Sequence, residues 1–147
     1  ATGKSPEEVY QLFNKKSGDL GGSGIGNDSR VILDAVAKGD KRAILSNDIF
    51  VRRIADFIGQ YFVRLGGADL IIFSAGIGEN EPRTREAVLN QIKDALGIEY
   101  DNEVNYKLRG VEGLLSTPNS KIKVAVIPTD EEVMIARDVY NMCIKGK

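Results

Sequence analysis

Asp69-Leu70-Ile71-Ile72-Phe73-Ser74, followed by Ala75-Gly76-Ile77-Gly78-Glu79-Asn80, decides the fold class. The first six residues carry a strand-length apolar run, and the next six predict a glycine turn. Pro82 then heads a helical stretch that reaches Leu96 and is stopped by Gly97. Beyond it the alternation continues. Ile98 to Tyr100 and Leu114 to Ser116 read as short strands on either side of a polar segment with no clear period. Thr117-Pro118-Asn119-Ser120 reads as a turn and Ile122 to Ile127 as a strand. Thr129 and Glu132 form a capping box for a last helix with Val133, Ala136, Tyr140 and Ile144 on one side. Strand, helix, strand, helix argues an α/β layer with parallel neighbours.

Upstream the text is helical and glycine-punctuated. Ser5-Pro6-Glu7-Glu8 is a capping box with proline at the first helical position, and Val9, Leu12 and Phe13 share a face. Gly18 to Asn27, GDLGGSGIGN, predicts an irregular glycine loop. Asp28 is an N-cap for a helix stopped by Gly39, and Asp40 opens a longer one running to about Leu65 before Gly66-Gly67. Ile44, Val51, Ile54, Ile58, Tyr61 and Leu65 form one stripe of that helix; Ile49, Phe50, Phe57 and Phe62 widen it. A helix apolar on more than one side is expected to be buried on more than one side.

Composition narrows the function classes. The 147 residues suit one domain with one core, and 20 Lys and Arg against 21 Asp and Glu leave a net charge of −1, so no nucleic-acid partner is expected. No histidine and a single cysteine, Cys143, exclude from this chain His-based triads, HExxH zinc sites, Cys-built zinc sites and internal disulfides. Cys143 is expected to pack, not react. A reducing, cytoplasmic compartment fits, and no apolar run approaches the roughly 20 residues of a membrane helix. The chain opens on Ala1 without a signal-like segment, which reads as a cut or processing point.

Three places have the residues for ligand chemistry. Parallel α/β sheets bind ligands beyond the carboxyl ends of their strands. The turn from Phe73 to Asn80 lies at such an end, with two glycines that let a ligand approach the backbone; it reads equally as a tight turn that binds nothing. Pro128-Thr129-Asp130-Glu131-Glu132 is the second. If Glu132 serves the cap, Asp130 and Glu131 are spare carboxylates, able to hold a magnesium ion that keeps most of its waters, or simply solvated in a first helical turn. The third is the glycine loop with Asp28-Ser29-Arg30, where amides can line a nucleotide and a guanidinium can stack on a base; a mobile loop with a capped helix is the alternative.

FSAGIGEN at 73–80 with its proline-led helix, SGIGNDSR at 23–30, LSTPNSKIKVAVIPTDEEVMIARD at 115–138 and TGKSPEEVYQLFNKKSG at 2–18 together resemble the C-terminal domain of the acetate kinase family. The resemblance runs from about Gly3 to Tyr140, with the motifs in the family's order. It implies an RNase H-like α/β domain of the actin-like ATPase superfamily, a mixed sheet flanked by helices. It implies a Mg2+-dependent phosphotransferase in which ATP and acetate give ADP and acetyl phosphate reversibly. By position, Asp28, Ser29 and Arg30 match the family's adenine-side contact; Gly76, Ile77, Gly78, Glu79 and Asn80 match its adenosine-binding turn; and Glu131 matches its magnesium-associated carboxylate. Gly22, Gly26, Val31 and Glu81 depart from the residues usual there, Glu81 standing where Ser is common.

The resemblance also implies that the arginines and histidine of phosphoryl transfer, the acyl pocket and the phosphate loop belong to a preceding portion. The chain is then expected to be the nucleotide-binding half of an enzyme, catalytically silent alone and part of a homodimer. A propionate or butyrate kinase of the same family is the alternative, as is a non-catalytic module that dimerises through the long helix.

Overall fold

A six-residue glycine-rich stretch that the sequence marks as irregular is helical, and the reason lies in what packs on it. The structure, a computed structural model, describes residues 3–145; Ala1, the expected cut point, lies outside them. Helix α1 (Pro6–Lys15) starts at the capping box of Ser5 and Glu8 as expected. Helix α2 (Gly18–Ser23) replaces the predicted loop. Glycine costs a helix about 1 kcal/mol per residue, and tertiary ties offset it here. The Arg42 guanidinium donates to the Gly22 carbonyl at 3.1 and 3.2 Å, and Ser46 donates to the Asp19 carboxylate at 3.3 Å. A Cβ on Gly22 would lie 2.8 Å from Ser46 Oγ, so the glycine permits the close approach of the two helices.

Helix α3 (Ser29–Ala37) is capped by Asp28, and α4 (Lys41–Leu65) by Asp40, whose carboxylate accepts the N–H groups of Arg42 and Ala43. Both α2 and α3 pack on α4. Burial along α4 departs from expectation. Ala43, Ser46, Val51 and Ala55 are buried, but Ile49, Phe57, Tyr61, Val63 and Leu65 are exposed. Small side chains on the inner stripe let α2 and α3 sit close; the bulky apolar ones point elsewhere.

The chain divides into two compact units, residues 1–67 and 68–147. Length alone suggests one core, but buried apolar residues gather in each unit, with Gly66 in the left-handed region ending α4 between them. In the second unit β1 (Leu70–Phe73) pairs in parallel with β3 (Lys123–Val126), Leu70 opposite Lys123 and Phe73 opposite Val126. β2 (Gly113–Leu114) lies on the other side of β3 and is antiparallel. A short connection through the 117–120 turn leaves only that direction open. The expected mixed sheet with helices is therefore present, although only one of its two pairings is parallel.

Segment Ala75–Asn80, expected to be a glycine turn, is a short helix, α5. Helix α6 (Pro82–Leu96) ends at left-handed Gly97 as predicted. Glu81, the departure from the family's usual Ser, caps α6 by accepting from Arg83 N–H at 3.1 Å and pairs with the Arg83 guanidinium at 2.8 Å. The polar segment hides α7 (Asn102–Lys107), capped by Asp101. Tyr100 and Ser116 form an isolated bridge in place of the expected strand at 98–100. The last helix, α8 (Glu131–Tyr140), is capped by Asp130 and runs into a π-helical turn, Asn141–Lys145. Val133, Tyr140 and Ile144 are exposed, and so is Cys143, contrary to its expected packing role.

Candidate functional site

The carboxyl ends of the parallel strands β1 and β3 lie side by side, joined at their last rung by Ile127 N–H to the Phe73 carbonyl at 3.0 Å. The segment leaving each strand forms one rim of an open pocket of about 370 Å³, lined by Ala75, Gly76, Thr129, Asp130, Glu131 and Glu132.

The first rim bends sharply. Ser74 is extended, and Ala75 then adopts φ 57°, a left-handed conformation that costs an L-residue roughly 1 kcal/mol or more. The two glycines do different work. A Cβ on Gly76 would meet nothing within 4 Å, so its backbone faces open space. A Cβ on Gly78 would lie 3.2 Å from the Phe73 carbonyl carbon, so Gly78 lets α5 fold back on β1. Asn80 is exposed and returns its amide to the Gly76 carbonyl at 3.0 Å.

Arg85 holds this rim from below. It is 0% exposed, and its guanidinium donates five hydrogen bonds: to the carbonyls of Gly78, Glu79, Asn105 and Leu108 and to Asn105 Oδ1, at 2.6 to 2.9 Å. Every acceptor is neutral, and burial lowers the Arg85 pKa from its ordinary value. Opposing the burial are the charge of the Glu81 carboxylate nearby and the partial negative charge at the ends of α5 and α7. Its position was readable in one respect. Arg85 precedes Val88, Leu89 and Ile92 at helical spacing, which places a charge on the buried stripe of α6.

The second rim corrects the predicted cap. Thr129 does not cap α8; Asp130 does, accepting Val133 N–H at 2.9 Å. Thr129 instead gives both its N–H and its hydroxyl to Glu79 Oε1, at 2.7 and 2.9 Å. These bonds, the backbone N–H foremost, hold the Glu79 carboxyl below its ordinary pKa. Glu132 is thereby released from the capping box, and Glu131 and Glu132 both stand exposed in the first turn of α8.

Of the predicted residues, Gly76 and Glu131 line one pocket. Ile77, Gly78, Glu79 and Asn80 stand behind or beside its rim. Asp28, Ser29 and Arg30 belong to the first unit and do not line it. At the start of α3, the Asp28 carboxylate accepts Arg30 N–H at 2.9 Å and pairs with its guanidinium at 2.7 Å, which depresses the Asp28 pKa to about 2. The Arg30 side chain is 82% exposed, its flat face free to stack. Sequence reasoning missed Arg85, Asn105 and the Glu79 to Thr129 tie.

For a metal, no three His, Cys, Asp or Glu side chains among the described residues are placed to hold an ion together. Glu131 beside open backbone fits only an ion that brings waters and ligand oxygens with it, as magnesium does with a nucleotide polyphosphate.

A small mixed sheet with an acid-rimmed pocket at the carboxyl ends of its parallel strands defines an α/β protein whose pocket lies where this class of fold places its ligands. The match to the acetokinase family spans residues 1–137, and the chain belongs to that family. It is 50% identical over 141 residues to an acetate kinase of Anoxybacillus flavithermus, covering 96% of this chain and 35% of that protein. The crystal structure of Porphyromonas gingivalis acetate kinase superimposes with a TM-score of 0.83 at 43% identity, over 92% of this chain and 34% of that one. A propionate kinase from Francisella tularensis gives 0.80 at 34% identity, over 92% and 34%. The chain thus spans about a third of the length of the curated relatives it matches.

Proposed function

We infer that this chain is the nucleotide-binding, C-terminal part of an acetate kinase. That enzyme moves a phosphoryl group reversibly between ATP and acetate, giving ADP and acetyl phosphate. The observation that carries the reading is the pocket that the open backbone of Gly76 and Glu131 line together. Three of its lining residues, Asp130, Glu131 and Glu132, are acids and none is a cation. A bare polyphosphate is repelled there. A magnesium complex is attracted, and Glu131 is the residue that would hold the ion through its waters. When bound, magnesium neutralises charge on the transferring phosphate. Asp28, Ser29 and Arg30 would take the adenine, and Gly76 to Asn80 the adenosine.

Phosphoryl transfer also needs cationic groups at the transferred oxygens. Nothing in the pocket lining supplies them, so turnover depends on a further part of the enzyme, and the chain alone binds without turning over. Propionate or butyrate as acceptor is the alternative, supported by the likeness to a propionate kinase. Dimerisation is a second property of the same reading, supported by the exposed Phe57, Tyr61, Val63 and Leu65 on α4. A cytoplasmic location accords with a described chain in which no helix is long and apolar enough to cross a membrane.

The test is turnover of the enzyme containing this chain with acetate, propionate and butyrate, repeated with Glu131→Gln and Glu132→Gln. Glu131→Gln is expected to cost about tenfold in magnesium-dependent kcat/KM, and Glu132→Gln distinctly less. Equal losses would remove the metal role from Glu131.

A further inference from the structure

We propose that Glu79, one of the turn residues matched to the adenosine site, serves that turn as a positioning residue and does not itself touch the nucleotide: its buried carboxylate ties the first rim of the pocket to the second and sets where Glu131 stands relative to Gly76. The proposal rests on the magnesium-nucleotide reading of this pocket.

The geometry of Glu79 leaves its carboxylate little else to do. The residue is 9% exposed and is absent from the pocket lining. A single oxygen, Oε1, accepts two bonds from Thr129, fifty residues along the chain. Beyond the last rung of the sheet, these are the described hydrogen bonds that join the two rims. Their mechanical consequence is direct. Thr129 precedes Asp130, which caps α8, and Glu131 is the first residue of that helix. Holding Thr129 therefore holds the start of α8.

The other end of the tie is equally anchored. The Glu79 carbonyl accepts from Arg85 at 2.9 Å and from Gly110 N–H at 3.1 Å, so the backbone that carries the carboxylate is fixed to α6 and to the loop after α7. The carboxylate is engaged from both rims, by the Thr129 N–H and hydroxyl on Oε1 and by the backbone N–H of Ala75, so turning it toward a nucleotide would give up bonds on each side. Groups behind a metal-associated residue commonly matter about tenfold in metal affinity without touching the ion.

The experiment uses the enzyme containing this chain and measures the magnesium half-saturation of ADP binding by calorimetry, without turnover, together with KM for ATP and kcat, for Glu79→Ala, Thr129→Val and the double variant. Glu79→Ala is expected to raise magnesium half-saturation about tenfold. Thr129→Val, which keeps the N–H and loses the hydroxyl, is expected to raise it about threefold, and the double variant to be no worse than Glu79→Ala, because the two groups form one interaction. Effects that multiply in the double variant, or a normal magnesium response in Glu79→Ala, overturn the proposal. If Glu79→Ala does not fold, Thr129→Val against Thr129→Ser decides. A larger magnesium shift for Val than for Ser supports the tie; equal values overturn it. A wild-type enzyme with no magnesium-ATP saturation, or a Glu131→Gln variant with an unchanged magnesium response, overturns the functional reading and this proposal together. Intact behaviour in both controls with multiplicative variants overturns only the tie.

Discussion

Asp28 to Arg30 at the start of α3 and Gly76 to Asn80 after β1 are the two segments that the proposed function assigns to the nucleotide, and they are built by opposite means. The first is local. Its cap and ion pair span two residues, and the guanidinium stands in water. The second is held by residues distant in sequence, by Arg85 from α6 and by Thr129 from beyond the end of the neighbouring strand β3. A locally built contact can be altered with little consequence for folding, whereas a remotely built one shares its residues with the core.

That contrast breaks most visibly at Arg85. Arg85→Met removes donors from carbonyls at the ends of two helices, and is expected to cost on the order of 3 kcal/mol or more by denaturant unfolding. A loss below 1 kcal/mol would mean the rim does not depend on it. Next come the glycines of the turn. Gly78→Ala must displace the Phe73 backbone and is expected to cost about 1 to 3 kcal/mol. Gly76→Ala meets open space and is expected to change stability by less than about 0.5 kcal/mol, yet to weaken nucleotide binding in calorimetry.

The smallest effects belong to the local contact. Arg30→Ala should leave the unfolding midpoint nearly unchanged while lowering nucleotide affinity. The Asp28 carboxyl, followed by NMR through an acid titration, should titrate near 2, and Arg30→Ala should return it upward toward the usual carboxylate range. The sign comes from the depressed value. Whatever stability the pair gives is complete above the ordinary carboxylate pKa and is lost as pH falls through about 2.

Legibility in the sequence obeyed the same division. Helices with local punctuation were readable: Ser5 and Pro6 for α1, Asp28 for α3, Asp40 for α4, Pro82 and Gly97 for α6. The apolar runs of β1 and β3 were too. Helix α2 was not, because its glycines answer to Arg42 and Ser46 on another helix, far along the chain. Helix α7 was too short and polar to show a period, although Asp101 was there as a cap. At Thr129 and Asp130 two good caps stood adjacent, and only the distant Glu79 decides between them. That Gly76 and Glu131 would come together at the strand ends was legible from the alternation of strands and helices; the ties behind them were not, since hydrogen bonds across fifty residues leave no spacing to read.

The five-fold use of one guanidinium has a further meaning for how this sequence can drift. Lysine carries three donors on a single point, glutamine two, and neither can reach four backbone carbonyls and a side-chain amide at once. In a saturation library position 85 should therefore survive as one letter, while position 30 accepts many alternatives until selection asks for nucleotide. The two arginines look alike in the text, yet one is spelled by the fold and the other by the ligand.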